Sequence, residues 1–142
     1  MKRFIFSISL ALSLFSLQAF ASDGNTPDVL NKFYKTFRTA ENVNWSTVDD
    51  MLRIGFTSNG RQQYAYYSND DLVVVASEIK EEELPADMKQ QLQEDYKEFT
   101  VSKVYELNRN NLKEYCVVID GPTRHITLKG KSKLKFCFDE RK

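Results

Sequence analysis

The chain has one histidine, His125, and two cysteines, Cys116 and Cys137. Thiolate and imidazole are zinc and copper ligands, and a thiol beside an imidazole is the start of a nucleophile pair. With Asp120-Gly121 as one hairpin loop and Gly130-Lys131-Ser132 as the next, strand register sets Cys116 opposite His125 across one gap. Cys137 faces His125 across the other gap. The cysteines then flank the histidine, their Cα atoms about 10 Å apart at two strand spacings, beyond the roughly 7 Å that a disulfide tolerates. Free thiols are expected, even though paired cysteines are the rule in exported proteins. Ligands on neighbouring strands of a flat sheet point parallel and do not converge, and no C-x-x-C spacing supports a site. Inert strand residues are therefore preferred over a Cys116–His125–Cys137 metal centre. A nucleophile pair would need, in addition, a cleft, an oxyanion site and a group to orient the base. One histidine excludes H-E-x-x-H, and the five glycines form neither a P-loop nor G-x-S-x-G. No catalytic residue and no cofactor are expected, and the chain reads as a non-enzyme.

The first residues form an address. Lys2 and Arg3 precede an apolar run from Phe4 to Leu17, and Ala19-Phe20-Ala21 is an A-x-A cleavage site. The run falls short of the roughly 20 apolar residues of a spanning helix, so residues 1–21 are read as a signal peptide and 22–142 as one exported domain, periplasmic or secreted. No membrane insertion is expected after cleavage. Losing Lys2 and Arg3 from 20 basic residues leaves a slight excess of the 20 acidic ones, so nothing marks a nucleic-acid binder.

Residues 34–37 read YKTF and residues 96–99 read YKEF. Sliding the chain along itself aligns Leu30, Tyr34, Lys35 and Phe37 with Leu92, Tyr96, Lys97 and Phe99. After a one-residue slip, Ile54, Phe56 and Asn59-Gly60 fall on Tyr115, Val117 and Asp120-Gly121. Recurrence of stripe, strand and turn in step implies one supersecondary unit written twice, over 26–79 and 84–139. Each unit opens with an amphipathic helix. Thr26 caps the first and Pro27 takes its first position, ahead of the stripe Val29, Leu30, Phe33, Tyr34 and Phe37; Pro85 opens the second, ahead of Met88, Leu92, Tyr96 and Phe99. Each stripe side chain gains roughly 1.5–3 kcal/mol on full burial, so both helices must lie on an apolar sheet. Strands are expected near 43–48, 50–58, 61–68, 72–79, 102–109, 112–119, 123–129 and 133–139. The fold class is α+β, a tandem αββββ repeat forming an antiparallel sheet with both helices on one face and the other face open.

Hairpin register then sorts the side chains. With Asn59-Gly60 as the loop, Ile54 faces Ala65 and Leu52 faces Tyr67 toward the helices, while Gly55 faces Tyr64 and Arg53 faces Tyr66 on the opposite side. A loop at Asn69-Asp70-Asp71 adds Val74 and Ala76 to that second set. Such residues suit any half-exposed sheet. A tyrosine-rich uncovered face also suits a macromolecular partner, because tyrosine combines wide contact area with a hydroxyl. Tyr64, Tyr66, Arg53, Val74 and, from the second unit, His125 are the candidate partner-binding residues.

The layout resembles the secreted bacterial β-lactamase-inhibitor-like or PepSY-like proteins. The likeness runs over residues 28–138 and rests on Phe37, Ala40 and Val43-Asn44-Trp45, on Glu83-Leu84-Pro85, on Lys103-Val104-Tyr105 and on Leu134-Lys135-Phe136. It implies a curved sheet whose concave face grips a partner. In the lactamase inhibitor an acidic hairpin residue enters the enzyme; here that hairpin reads Ser58-Asn59-Gly60-Arg61, which speaks against a lactamase target, and the PepSY-like resemblance implies a peptidase as partner. The expected function is an exported binding protein, an inhibitor among the options, with an extracytoplasmic protein or peptide as partner. A small-ligand or metal carrier centred on His125, a structural envelope subunit and a homodimer are the alternatives.

Overall fold

The computed structural model describes residues 28–142. The expected signal peptide and the cap at Thr26-Pro27 lie outside them. Helix α1 (Val29–Thr36) precedes strands β1 (Glu41–Val48), β2 (Met51–Ser58), β3 (Arg61–Ser68) and β4 (Asp71–Glu78). A 3-10 turn (Glu81–Glu83) and helix α2 (Ala86–Asp95) lead to β5 (Thr100–Arg109), β6 (Leu112–Asp120), β7 (Arg124–Gly130) and β8 (Lys135–Arg141). The strands lie side by side in chain order as one eight-stranded antiparallel sheet. An α+β fold with two helices and one antiparallel sheet matches the expectation from sequence.

Turn chemistry explains this order. Asp49-Asp50, Asn59-Gly60, Asn69-Asp70 and Asn110-Asn111 each join successive strands with positive φ at both residues, between 46° and 74°. That backbone matches the twist of the flanking strands, and Asn, Asp and Gly are the residues that adopt it at least cost. The third of these turns is one residue shorter than the expected Asn69-Asp70-Asp71 loop, since Ser68 pairs with Asp71. A bulge beside Tyr66 and Tyr67 absorbs the difference, so Tyr66 still faces Val74 and Tyr64 still faces Ala76.

The expected Asp120-Gly121 turn does not form. Asp120 is the last residue of β6 and pairs with His125, and the Gly121 amide donates to the Arg124 carbonyl at 2.9 Å across a longer loop. A two-residue turn would put Pro122 opposite Ile119 in the ladder, where a residue with no N–H and fixed φ cannot serve. Gly130, expected in a loop, ends β7 opposite Tyr115.

The helices share one face of the sheet but build separate cores. Val29, Leu30 and Phe33 of α1 pack on Ile54, Phe56, Ala65 and Tyr67, with Phe33 edge-on to Phe56 at 5.0 Å between ring centroids. Trp45, opposite Ile54, joins this cluster. Tyr34, expected within the stripe, stays 48% exposed and touches Phe33 only at its rim. Met88 and Leu92 of α2 pack on Val104, Val117, Ile119, Ile126 and Leu128, while Tyr96 and Phe99 lie past the helix end and are half-buried against that cluster.

Candidate functional site

The face away from the helices is set by strict alternation. Arg53 and Gly55 of β2 face Tyr66 and Tyr64 of β3, which face Val74 and Ala76 of β4. Ala76 faces Leu107 of β5, and Tyr105, two residues earlier, faces Cys116 of β6. Asn44 and Ser46 of β1 complete the row opposite Gly55 and Arg53. Every residue assigned to this face from hairpin register lies on it.

Their exposure differs from expectation. Tyr66 and Ala76 are 0% exposed, Val74 2% and Arg53 5%, and with Tyr105, Leu107 and Cys116 they make a third buried cluster. The centre of this face is therefore not open. Period-2 alternation reveals which side a residue takes but not what packs over it there. Arg53 and Tyr66 are both engaged by other groups of the chain. Tyr64 alone of the expected tyrosines stays half-buried, edge-on to Tyr105 at 6.4 Å, with the Arg53 guanidinium 5.7 Å from its ring centroid. Gly55 makes room for this arrangement, because a Cβ there would stand 2.7 Å from Asn44 Oδ1 and 3.4 Å from the Tyr64 ring. Burial raises the Tyr105 hydroxyl pKa well above its ordinary value, the nearby Glu78 charge adding to it, so the phenol stays neutral.

The expected row of Cys116, His125 and Cys137 does not exist. Cys116 pairs with Lys129, four positions along β7 from His125, because of the longer Pro122 loop. His125 instead hydrogen-bonds Asp120 Oδ1 through Nδ1 and faces Glu140 of β8. Cys137 falls at a bulge in β8. Both cysteines are free thiols, Cys116 buried and Cys137 exposed. Among the described residues no three His, Cys, Asp or Glu side chains are grouped to hold a metal ion. His125 shares the face of Tyr64 but lies four strands away, about 19 Å at ~4.8 Å per strand.

The fold has precedent. A DUF2874 family protein from Bacteroides uniformis superposes with a TM-score of 0.71 at 14% identity, over 82% of this chain and 89% of its own. A BLIP-like protein from Bacteroides fragilis gives 0.65 at 16% identity, over 83% and 89%. A candidate periplasmic protein from Bacteroides eggerthii gives 0.72 at 17% identity, over 83% and 90%. At these identities the likeness is one of fold. No family model and no curated protein matches the chain.

Tyr105, Leu107 and Asp120 belong to this face and were not singled out from sequence. For Tyr105 and Leu107 the signal was present, since they alternate with Val104 and Glu106. For Asp120 it was Pro122, which forbids the shorter turn.

Proposed function

We propose that the chain is an exported, extracytoplasmic, non-enzymatic binding protein that receives a macromolecular partner on the sheet face away from its helices. The observation that carries this reading is Tyr64. It is a half-buried ring, clamped by the Arg53 guanidinium and the edge of Tyr105, on a face that neither helix covers. Fixed tyrosine is effective at interfaces because little side-chain entropy is lost when the partner arrives. Arg53, Tyr66 and Val74 are the support beneath it. His125, held by Asp120 and side-chain half-exposed at 41%, is the second contact. Their spacing of about 19 Å fits within one partner's share of a standard interface, about 800 Å².

The fold likeness to a BLIP-like protein supports an inhibitor-like role, and the likeness to a candidate periplasmic protein supports an extracytoplasmic place. The PepSY-like resemblance makes a peptidase the favoured class of target. The reading takes residues 22–142 as one domain, written as two αββββ units over 26–79 and 84–139.

The test is site-specific crosslinking. A photoreactive group at position 125, on the same face as Tyr64, is expected to capture one defined envelope protein, whereas the same group at position 34, exposed on the helix side, captures none. Tyr64→Ala should abolish the capture and keep a single cooperative melting transition, lowered only by the loss of the Arg53 and Tyr105 contacts. Tyr66→Ala is no substitute for it, since emptying that fully buried site costs about 3–5 kcal/mol of stability. Equal capture from both positions, or capture surviving in Tyr64→Ala, would sink the reading.

A further inference from the structure

We propose that the β7–β8 hairpin docks the protein peripherally on an anionic membrane surface, independently of what binds the tyrosine face. The connection reads Lys129-Gly130-Lys131-Ser132-Lys133-Leu134-Lys135-Phe136. Lys129 is paired with Glu114 at 3.4 Å, and the neighbouring Lys113 with Glu106 at 3.1 Å. Lys131, Lys133 and Lys135 are exposed, and among the described residues none of them has a carboxylate partner. Phe136 beside them is 60% exposed. The turn and the start of β8 thus carry three lysines with no carboxylate partner among the described residues and one protruding aromatic ring.

The turn is rigidly built. Leu134 is 2% exposed, its carbonyl accepts from Gln91 Nε2 at 2.8 Å and its amide donates to Gln91 Oε1 at 2.9 Å. Gly130 lies so close to the Lys133 carbonyl that a Cβ would collide with it. The lysines therefore stand on a fixed backbone, and docking spends little entropy in ordering the turn.

The mixture of groups selects the partner. A soluble polyanion would engage the lysines and leave Phe136 in water. The headgroup layer of a bilayer takes both, phosphates meeting the ammonium groups while the ring reaches the acyl boundary. The acidic turns Asp49-Asp50 and Asn69-Asp70 lie at the same end of the sheet but four or more strands away. That is about 19 Å or more at ~4.8 Å per strand, well past the roughly 8 Å over which physiological salt lets charges interact.

Co-sedimentation with vesicles tests this, using the protein recovered after export. Binding is expected to vesicles of phosphatidylglycerol mixed with phosphatidylcholine, with little to phosphatidylcholine alone, and it should weaken as salt is added. Each lysine near such a surface is worth about fivefold in partitioning, so Lys131→Gln, Lys133→Gln and Lys135→Gln combined should lower it by roughly a hundredfold. Phe136→Ser should lower it several-fold, and both variants should keep the wild-type melting curve, since all four side chains are exposed. Equal binding to the two vesicle types, or a triple variant that binds like wild type, overturns the proposal. Retention on heparin without vesicle binding overturns it too, in favour of a soluble polyanion.

Discussion

A thiol among apolar side chains resists ionisation, because the thiolate has no water to solvate it. Cys116, packed with Tyr66, Tyr105 and Leu107, has its pKa pushed up from 9.0 to about 12, mainly by burial, with the charge of Cys137 adding to it. Between these values the folded protein keeps a proton that the unfolded chain has released, so stability falls as pH rises through that window. The contribution is fully present below pH 9. Tyr105 and Tyr67, both raised by burial above 10.0, act in the same direction. Urea midpoints measured from pH 9 upward should therefore drop, and less steeply in Cys116→Ala. A thiol-specific disulfide reagent should find one group, Cys137, in the native protein and two after unfolding. Two fast thiols in the native state would show that Cys116 is not enclosed.

Single residues also decide how elements join, and here the sequence was legible only in part. The Asn and Asp doublets declare their turns, because positive φ at two successive residues is a requirement few side chains meet. The last two hairpins do not turn on such a doublet, although Asp120-Gly121 is one by sequence. Pro122 lengthens one loop, and in the other Gly130 stays in its strand while Leu134 is pulled inward. Gln91 does that pulling from a position on α2 that helical periodicity marks as polar surface, so nothing in the pattern announces it. Its amide satisfies both backbone groups of Leu134, a residue outside any strand and buried. Gln91→Ala should cost about 1–3 kcal/mol, since a partly buried donor and acceptor are both left unmet. Gln91→Glu keeps an acceptor for the Leu134 amide and loses the donor to its carbonyl, so it should fall between the two. Hydrogen exchange at the Leu134 amide should quicken in the alanine variant and stay slow in the glutamate one.

At the scale of the molecule, the partition of side chains between the two faces was readable from hairpin register, and the burial of the far face was not. Alternation cannot tell a bare face from a packed one, and that packing matters for how the halves hold together. The α1 core draws on β1 to β3, and the α2 core almost wholly on β5 to β7 and on Leu134 in the turn after them. The cluster that joins β3 and β4 to β5 and β6 is the far-face one, through Tyr66, Val74 and Ala76 against Tyr105, Leu107 and Cys116. Ladder pairing at this seam is short, running from Val75 opposite Asn108 to Glu78 opposite Tyr105. Beyond Val75 the strands part, leaving a cleft of about 340 Å³ lined by Leu72, Val73, Asn108, Asn110 and Asn111 among others. Coupling between the halves should therefore depend on Leu107, which is 3% exposed and faces Ala76 across the seam. Leu107→Ala should lose about 2–5 kcal/mol, as buried leucines do, but its distinctive effect should be on cooperativity. If the far-face cluster is what makes the halves unfold as one, the variant's urea transition broadens or splits, with the fluorescence of Trp45 in the first half departing from exchange of β6 amides in the second. A buried leucine that only adds stability would shift the midpoint and leave the two probes coincident, and the seam would then be held by its backbone ladder alone.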